Sequence, residues 1–272
     1  MPSSEELKQE LVLSRNSSVE EGGRWENIDA DDIHPLDGLI NDPPFKTLWH
    51  TQVAPFHQTA HRSYQLRPVI VKANDDLRQE LLAMQLMTRV RNLFHSLGVR
   101  AYLRPYGISV TARNAGLIEY ISDSISLDAL KKRLPKGWTL RRYFEENFGR
   151  DGFEEAQKNF VESLAGYSLF NYVFSVKDRH NGNILLTADG HLVHIDFGFM
   201  FQTSPGGWAF EKAPFKLTPE YVEMMDGFGS HMMQYFKSLL IRGLRELAHH
   251  FEQLATLIEI MVDCKPPHLY SA

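Results

Sequence analysis

Three polar residues suited to moving a phosphoryl group fall within six positions of this chain, Asp178, His180 and Asn183, and a second acid, Asp196 of Asp196-Phe197-Gly198, follows 18 positions after Asp178. Transfer from ATP needs two hard oxygen ligands that hold Mg²⁺ against the triphosphate, and a further polar group where a hydroxyl attacks in line. Asn183 and Asp196 fit the ligand roles. Asp178 or His180 fits the proton-accepting role, and the sequence leaves open which of them takes the proton. The order Asp178-Arg179-His180 inverts the His-Arg-Asp of ordinary protein kinases.

Two short aliphatic runs must bring these groups together. Ile184–Leu186 and Leu192–Ile195 flank Thr187-Ala188-Asp189-Gly190, a hairpin turn signal. A hairpin here returns the Asp-Phe-Gly to the loop that precedes the first strand, so Asn183 and Asp196 become neighbours. Upstream, Val69-Ile70-Val71-Lys72 reads as a buried strand ending in a lysine. Asp75 or Asp76 then caps a helix to about Leu97, with Leu77, Leu81, Met84, Met87, Val90 and Phe94 at helical spacing and Gly98 as its stop.

These motifs carry a resemblance. Asp178-Arg179-His180-Asn181-Gly182-Asn183, with His194-Ile195-Asp196-Phe197-Gly198, resembles the catalytic and metal-binding loops of the phosphatidylinositol 3-/4-kinase superfamily. The run Val69 to Glu80 is similar to that family's lysine strand and following helix. The likeness spans about Phe45 to Met261 and is greatest to the type III phosphatidylinositol 4-kinases of the beta kind. It implies an α+β, bilobal, protein-kinase-like fold with a small antiparallel-sheet N-lobe over residues 43–121 and a mostly helical C-lobe over 122–272. It also implies that Lys72 contacts the α-phosphate and pairs with Glu80 or Asp76, and that the backbone of Glu119 and Ile121 at the hinge binds adenine. Arg179 or Lys177 would stabilise the migrating phosphoryl group.

The same resemblance places a substrate-reading loop after Asp-Phe-Gly, over Phe199–Leu217. Lys212 and Lys216 against Glu211 leave this loop a net charge of only +1, which favours plain phosphatidylinositol over a substrate already phosphorylated on its ring. The expected reaction is transfer of the ATP γ-phosphate to the 4-hydroxyl, with Mg²⁺ or Mn²⁺ as cofactor. Rival readings are a Ser/Thr protein kinase of the same superfamily and a nucleotide-binding scaffold without turnover. Asn181-Gly182 stands where those protein kinases carry Pro-Ser. A glycine-free stretch, Ala54 to Ser63, occupies the position of the phosphate loop; Thr59, Ser63, His61 or Arg62 would replace the usual glycine backbone contacts there.

Helices are expected over Ser126–Leu134, Thr139–Phe148, Phe153–Val176, Thr218–Met225 and Ser230–Val262. Arg242, Arg245, His249 and His250 form a solvated face on the last of these. Residues 1–42, rich in Ser, Glu, Asp and Gly, read as a disordered arm.

Composition narrows the class. Of 272 residues 43% are hydrophobic, enough for a real core, and a net charge of −5 with interspersed signs argues against nucleic acid. A lone cysteine, Cys264, excludes an intramolecular disulfide and a multi-cysteine zinc site. No run approaches the length of a membrane span, and the N-terminus lacks the shape of a signal peptide. The expectation is a cytoplasmic, C-terminally shortened kinase core, meeting phosphatidylinositol at the surface of Golgi or plasma membrane and served by regulatory proteins.

Overall fold

The computed structural model describes residues 67–201 and 213–263. The expected arm (1–42), the phosphate loop (54–63), Lys212 and the C-terminal tail lie outside the described residues.

Strand β1 (Val69–Ala73), β2 (Ile108–Ala112) and β3 (Ala115–Glu119) form an antiparallel sheet in the order β1-β3-β2, with Lys72 opposite Gly116. The expected burial of β1 is corrected: Val69 is 53% and Val71 73% exposed. Among the described strands β1 pairs only with β3, and a run of β-branched residues reads alike whether its strand is covered or lies at an edge.

Helix α1 (Arg78–Ser96) buries Leu82, Leu86, Met87, Val90 and Phe94. Its start differs from expectation. Leu77 occupies the cap position with no side-chain cap bond, because Asp75 is drawn to Lys72 while Asp76 accepts from the Arg78 amide at 3.1 Å and from its guanidinium. Gly98 ends the helical segment at φ 64°, as expected of a glycine stop.

Below the hinge, β4 (Ser124–Ser126), β5 (Ile184–Thr187) and β6 (Leu192–His194) make a second antiparallel sheet in sequence order. The β5/β6 turn is the expected one: Gly190 adopts φ 90° and its amide donates to Thr187 O at 3.0 Å. Helix α2 (Leu127–Arg133) is capped by Ser126, whose Oγ accepts from Ala129 N at 3.1 Å.

The long helix α3 (Leu140–Val173) joins the two helices expected on either side of residues 149–152, with a kink at Gly149 (φ 62°). It ends three residues before the expected Val176, where Ser175 turns to φ 49° and the Val176 amide folds back to Asn171 O. Phe160, Leu164, Tyr167 and Phe170 are buried along it.

Helix α4 (Pro219–Met224) begins at a Thr218 cap with proline in its first turn, and α5 (His231–His249) at a Ser230 cap. The expected single terminal helix is interrupted at His250 and resumes as α6 (Phe251–Asp263). The His250 amide is shared between Glu246 O (3.2 Å) and Leu247 O (3.3 Å), so it draws on Leu247 O, the carbonyl that the Phe251 amide would use if the helix continued. Arg242, expected on a solvated face, donates to Leu97 O at 2.6 Å and so closes the C-terminal end of α1.

One apolar cluster spans both sheets' neighbourhoods, running from Leu82, Met87 and Phe94 of α1 through Tyr167 and Phe170 of α3 to Phe197 and Met200. Its tightest point is at Gly166, where the strand-like segment after α1 crosses α3 and Tyr102 N donates to Glu162 O at 2.9 Å. A Cβ on Gly166 would lie 2.0 Å from Tyr102 O. Gly166→Ala is therefore expected to destabilise the protein by about 1–3 kcal/mol, measured as a fall in the denaturant midpoint at unchanged m-value.

Candidate active site

Lys72 leaves the end of β1 toward two acids. Its Nζ lies 3.0 Å from Asp75 Oδ2 and 3.7 Å from Glu80 Oε2, the latter on the first turn of α1. Of the two expected partners Glu80 is the one found, whereas Asp76 is engaged by Arg78. Partial burial disfavours the lysine cation, but the Asp75 hydrogen bond and the charges of Glu80, Asp196 and Asp75 outweigh it and hold its pKa above the ordinary value. Glu80 is nearly buried, and this desolvation raises its pKa against the opposing pull of Tyr106 and Lys72.

Tyr106 was not legible as a site residue. Its hydroxyl donates to Glu80 Oε1 at 2.6 Å. Burial first, then the Glu80 charge, pushes the phenol well above its usual pKa, so it remains a donor. Gln79, next to Glu80, is a second such residue: its Nε2 reaches Phe197 O (3.0 Å) and Gly198 O (2.6 Å), tying α1 to the Asp-Phe-Gly segment. Neither contact has a local signature, since the partners are 26 and more than 100 residues apart.

The β5/β6 hairpin brings the two proposed metal ligands side by side. Ile184 faces His194, and one step further the Ile195 amide donates to Asn183 O at 3.1 Å. Asn183 Nδ2 donates to Asp178 O at 3.1 Å, which turns its Oδ1 the other way. Asp196 Oδ1 accepts from Gly198 N at 3.2 Å. Asp178 and Asp196 both adopt left-handed backbone, at φ 62° and 60°. Aspartate tolerates that region better than most residues, yet two such positions at one loop cluster mark strain of the kind held at functional sites.

A cavity of about 270 Å³ lies between the sheets. Lys72, Glu80, Tyr106, Asn183 and Asp196 line its polar end, and Ile70, Ile118, Ile121, Leu185 and Ile195 its apolar part, with Glu119 and Tyr120 at the hinge. Here the Glu119 amide is held by Gly107 O and the Tyr120 amide by Pro68 O, while Ile121 N–H has no partner among the described residues. Ser124 Oγ donates to Ile121 O at 2.7 Å and braces this turn. The Glu119 carboxylate accepts from Gly107 N at 2.7 Å, so the side chain is structural.

Asp178, His180 and Arg179 are not on the cavity wall but on the loop that carries Asn183. His180 caps the 3₁₀ turn Asn181–Asn183: Nδ1 accepts from Gly182 N at 3.0 Å, and Nε2 lies 3.8 Å from Asp178 Oδ2. Arg179, expected to stabilise a migrating phosphoryl group, is 95% buried beneath the loop rather than exposed to it. It donates to Lys177 O (2.9 Å), Ile195 O (2.8 Å) and Asp196 O and lies over the Phe197 ring at 5.3 Å. That is a clamp between loops. Lys216, expected to read a headgroup, points at the same loop, with Nζ 3.0 Å from Arg179 O and 2.7 Å from Asn181 Oδ1. Lys212 lies outside the described residues. Underneath, His194 stacks on Tyr167 (centroids 4.4 Å apart) with Nδ1 3.2 Å from Asn171 Nδ2. Burial, then the charges of Arg179 and Lys216, drives its pKa well below normal, so it is a neutral core histidine.

Comparison with known proteins identifies the family. The sequence model of the family described as "Phosphatidylinositol 3- and 4-kinase" matches residues 130–271, just over half of the chain. The chain belongs to that family. This lipid-kinase family membership accounts for the α+β fold, with its small antiparallel sheets and mostly helical remainder. Among curated relatives, a "Phosphatidylinositol 4-kinase" of Dictyostelium discoideum is 44% identical over 229 residues, covering 82% of this chain and 19% of its own length. "Phosphatidylinositol 4-kinase beta 1" of Arabidopsis thaliana is 47% identical over 206 residues (74% of this chain, 18% of its own). "Phosphatidylinositol 4-kinase beta" of Xenopus tropicalis is 43% identical over 202 residues (73% and 25%). The chain thus spans a quarter or less of the length of these relatives.

Glu80 gives this lipid-kinase family member a pH signature. A carboxyl whose folded pKa is raised contributes stability when protonated, fully below its unfolded pKa, and that contribution is lost as pH rises through the folded pKa. Glu80→Gln keeps an acceptor for Tyr106 but removes the buried charge. Its stability relative to wild type should therefore improve as pH rises above the ordinary carboxyl range near about pH 4, read from urea midpoints at a series of pH values; a constant difference would show that the charge is not desolvated.

Proposed function

We propose that this chain is the catalytic core of a phosphatidylinositol 4-kinase, transferring the γ-phosphoryl group of ATP to the 4-hydroxyl of phosphatidylinositol. The observation that carries the reading is the convergence, on one cavity, of Lys72 with Glu80, an apolar slot ending at the Ile121 amide, which has no partner among the described residues, and the oxygens of Asn183 and Asp196. The names of the relatives supply the lipid and the ring position.

Adenine fits the apolar slot, with Ile121 N–H and Glu119 at the hinge, and Lys72 meets the phosphates at the polar end. Lys72 is already flanked by three carboxylates, so its cation is retained whether or not nucleotide is bound. Asn183 Oδ1 and the Asp196 carboxylate suit a hard divalent ion that completes its shell with phosphate oxygens and water. Mg²⁺, or Mn²⁺, supplies neutralisation of charge on the β- and γ-phosphates. Asn183 and Asp196 would hold it there, fixed by the Asp178 O and Gly198 N bonds described above.

The inositol 4-hydroxyl oxygen forms the new bond to γ-phosphorus as the bond to the β,γ-bridging oxygen breaks, and ADP leaves. The hydroxyl proton goes to Asp178. His180 is the weaker candidate because its Nδ1 lone pair is taken by Gly182 N–H, which leaves the neutral ring's proton on Nε2, facing Asp178. His180 orients that carboxylate. Among the described residues no helix is long and apolar enough to cross a membrane, and the lipid is reached as a peripheral enzyme at the surface of Golgi or plasma membrane.

The test is labelled-ATP transfer to phosphatidylinositol vesicles, with a protein substrate alongside and the ring position of the product identified. Asp178→Asn should lower kcat on the order of 10²- to 10⁴-fold, and Asp196→Ala by about 10³-fold with a higher Mg²⁺ concentration needed for half-maximal rate. Product at another ring position, or label in the protein alone, refutes the assignment. His180→Gln should leave more activity than Asp178→Asn; the opposite order would make the imidazole the proton acceptor.

A further inference from the structure

The ammonium of Lys216 has a place in the fold that headgroup reading does not explain. It stands two residues before the Thr218 cap of α4, and it is partly buried. Its two closest acceptors, Arg179 O at 3.0 Å and Asn181 Oδ1 at 2.7 Å, both belong to the loop between Asp178 and Asn183. Arg179 in turn grips Ile195 O and Asp196 O. A continuous run of hydrogen bonds therefore joins Lys216 to the backbone at Asp196. The charge of Lys216 is also felt by the buried His194 beneath the loop.

We infer that Lys216 is a positioning residue, which holds residues 179–181 in register so that Asp178 and His180 are set at the angle the transfer requires. Two of the three ammonium donors are thus already committed to the loop. The loop has reason to need such a brace. Asp178 sits in left-handed backbone, a conformation that surrounding contacts must maintain. The only helical support within the loop is the single turn Asn181–Asn183. Misplacement of a reacting group by about 1 Å can cost on the order of 10²-fold in rate, so a loose loop lowers turnover while leaving lipid binding intact.

The activity arm of the test rests on the kinase reading, and a second arm does not. In the full chain, Lys216→Met, Lys216→Arg, Asn181→Ala and the Lys216→Met/Asn181→Ala double variant are compared in transfer to phosphatidylinositol–phosphatidylcholine vesicles. Lys216→Met should lower kcat roughly 10- to 100-fold with KM for vesicles and for ATP within about twofold. Arginine should restore part of kcat, and the double variant should lose little beyond Lys216→Met alone, because both changes remove one contact. Amide hydrogen exchange of the peptide containing Gly182 and Asn183 should quicken in Lys216→Met, whether or not the wild type phosphorylates lipid. A raised KM for vesicles with kcat unchanged, additive losses in the double variant, or unaltered exchange overturns the inference. If Lys216→Met does not fold, Asn181→Ala decides by the same kcat and exchange readouts. Wild type that fails to phosphorylate phosphatidylinositol refutes the proposed function, and exchange then decides for Lys216 alone.

Discussion

The buried guanidinium of Arg179 is the interaction on which the rest of the site depends. A cation removed from water is costly unless its donors are satisfied, and here they meet the carbonyls of Lys177, Ile195 and Asp196 with the face over Phe197. Because those carbonyls lie on two separate loops, satisfying the arginine fixes the distance between them. The loop bearing Asp178 and Asn183 cannot then shift without either stranding the charge or moving Asp196 with it. The β5/β6 hairpin sets the same spacing from the other side, through Ile195 N and Asn183 O. Two independent constraints on Asn183 and Asp196 leave little freedom for misalignment.

Electrostatics divide the cavity into unlike ends. Lys72, Glu80, Tyr106 and Asp196 gather around one small region, where desolvation and like charge work against Glu80 and the lysine and the phenol work in its favour. The net effect raises the Glu80 pKa, with burial the largest cause. Phe197 meanwhile is fully buried against Phe170 at 5.8 Å in an edge-on arrangement, which anchors the residue next to Asp196 in the main core. Gln79 ties the following carbonyl to α1. Movement of α1 would therefore be transmitted to both Lys72's partner and the Asp-Phe-Gly segment.

Much of this was legible from residue types. The hairpin and the helix starts at Ser126, Thr139 and Thr218 follow from turn chemistry and short hydroxyl side chains, whereas the pairing of Lys72 with Glu80 or Asp76 was implied only by the family resemblance. The errors have identifiable causes. An apolar strand does not reveal how many neighbours it has, so β1 was assigned too much burial. A charged residue beside catalytic groups invites a role in chemistry, although Arg179 and Lys216 face backbone carbonyls and an amide. Long helical periodicity did not expose the break at His250, where one amide is shared between two successive carbonyls.

The sequence by itself determined which chemistry was available, since carboxylates, an amide and a lysine at these spacings define what could bind a nucleotide's phosphates and a cation, and local rules suffice to form the hairpin. Only the tertiary structure decided which polar groups face the cavity and which hold it together. That division depends on contacts such as Tyr106 to Glu80 and Lys216 to Asn181, whose partners meet through packing of distant segments, and burial turns a side chain of unchanged chemical type from a reagent into a brace.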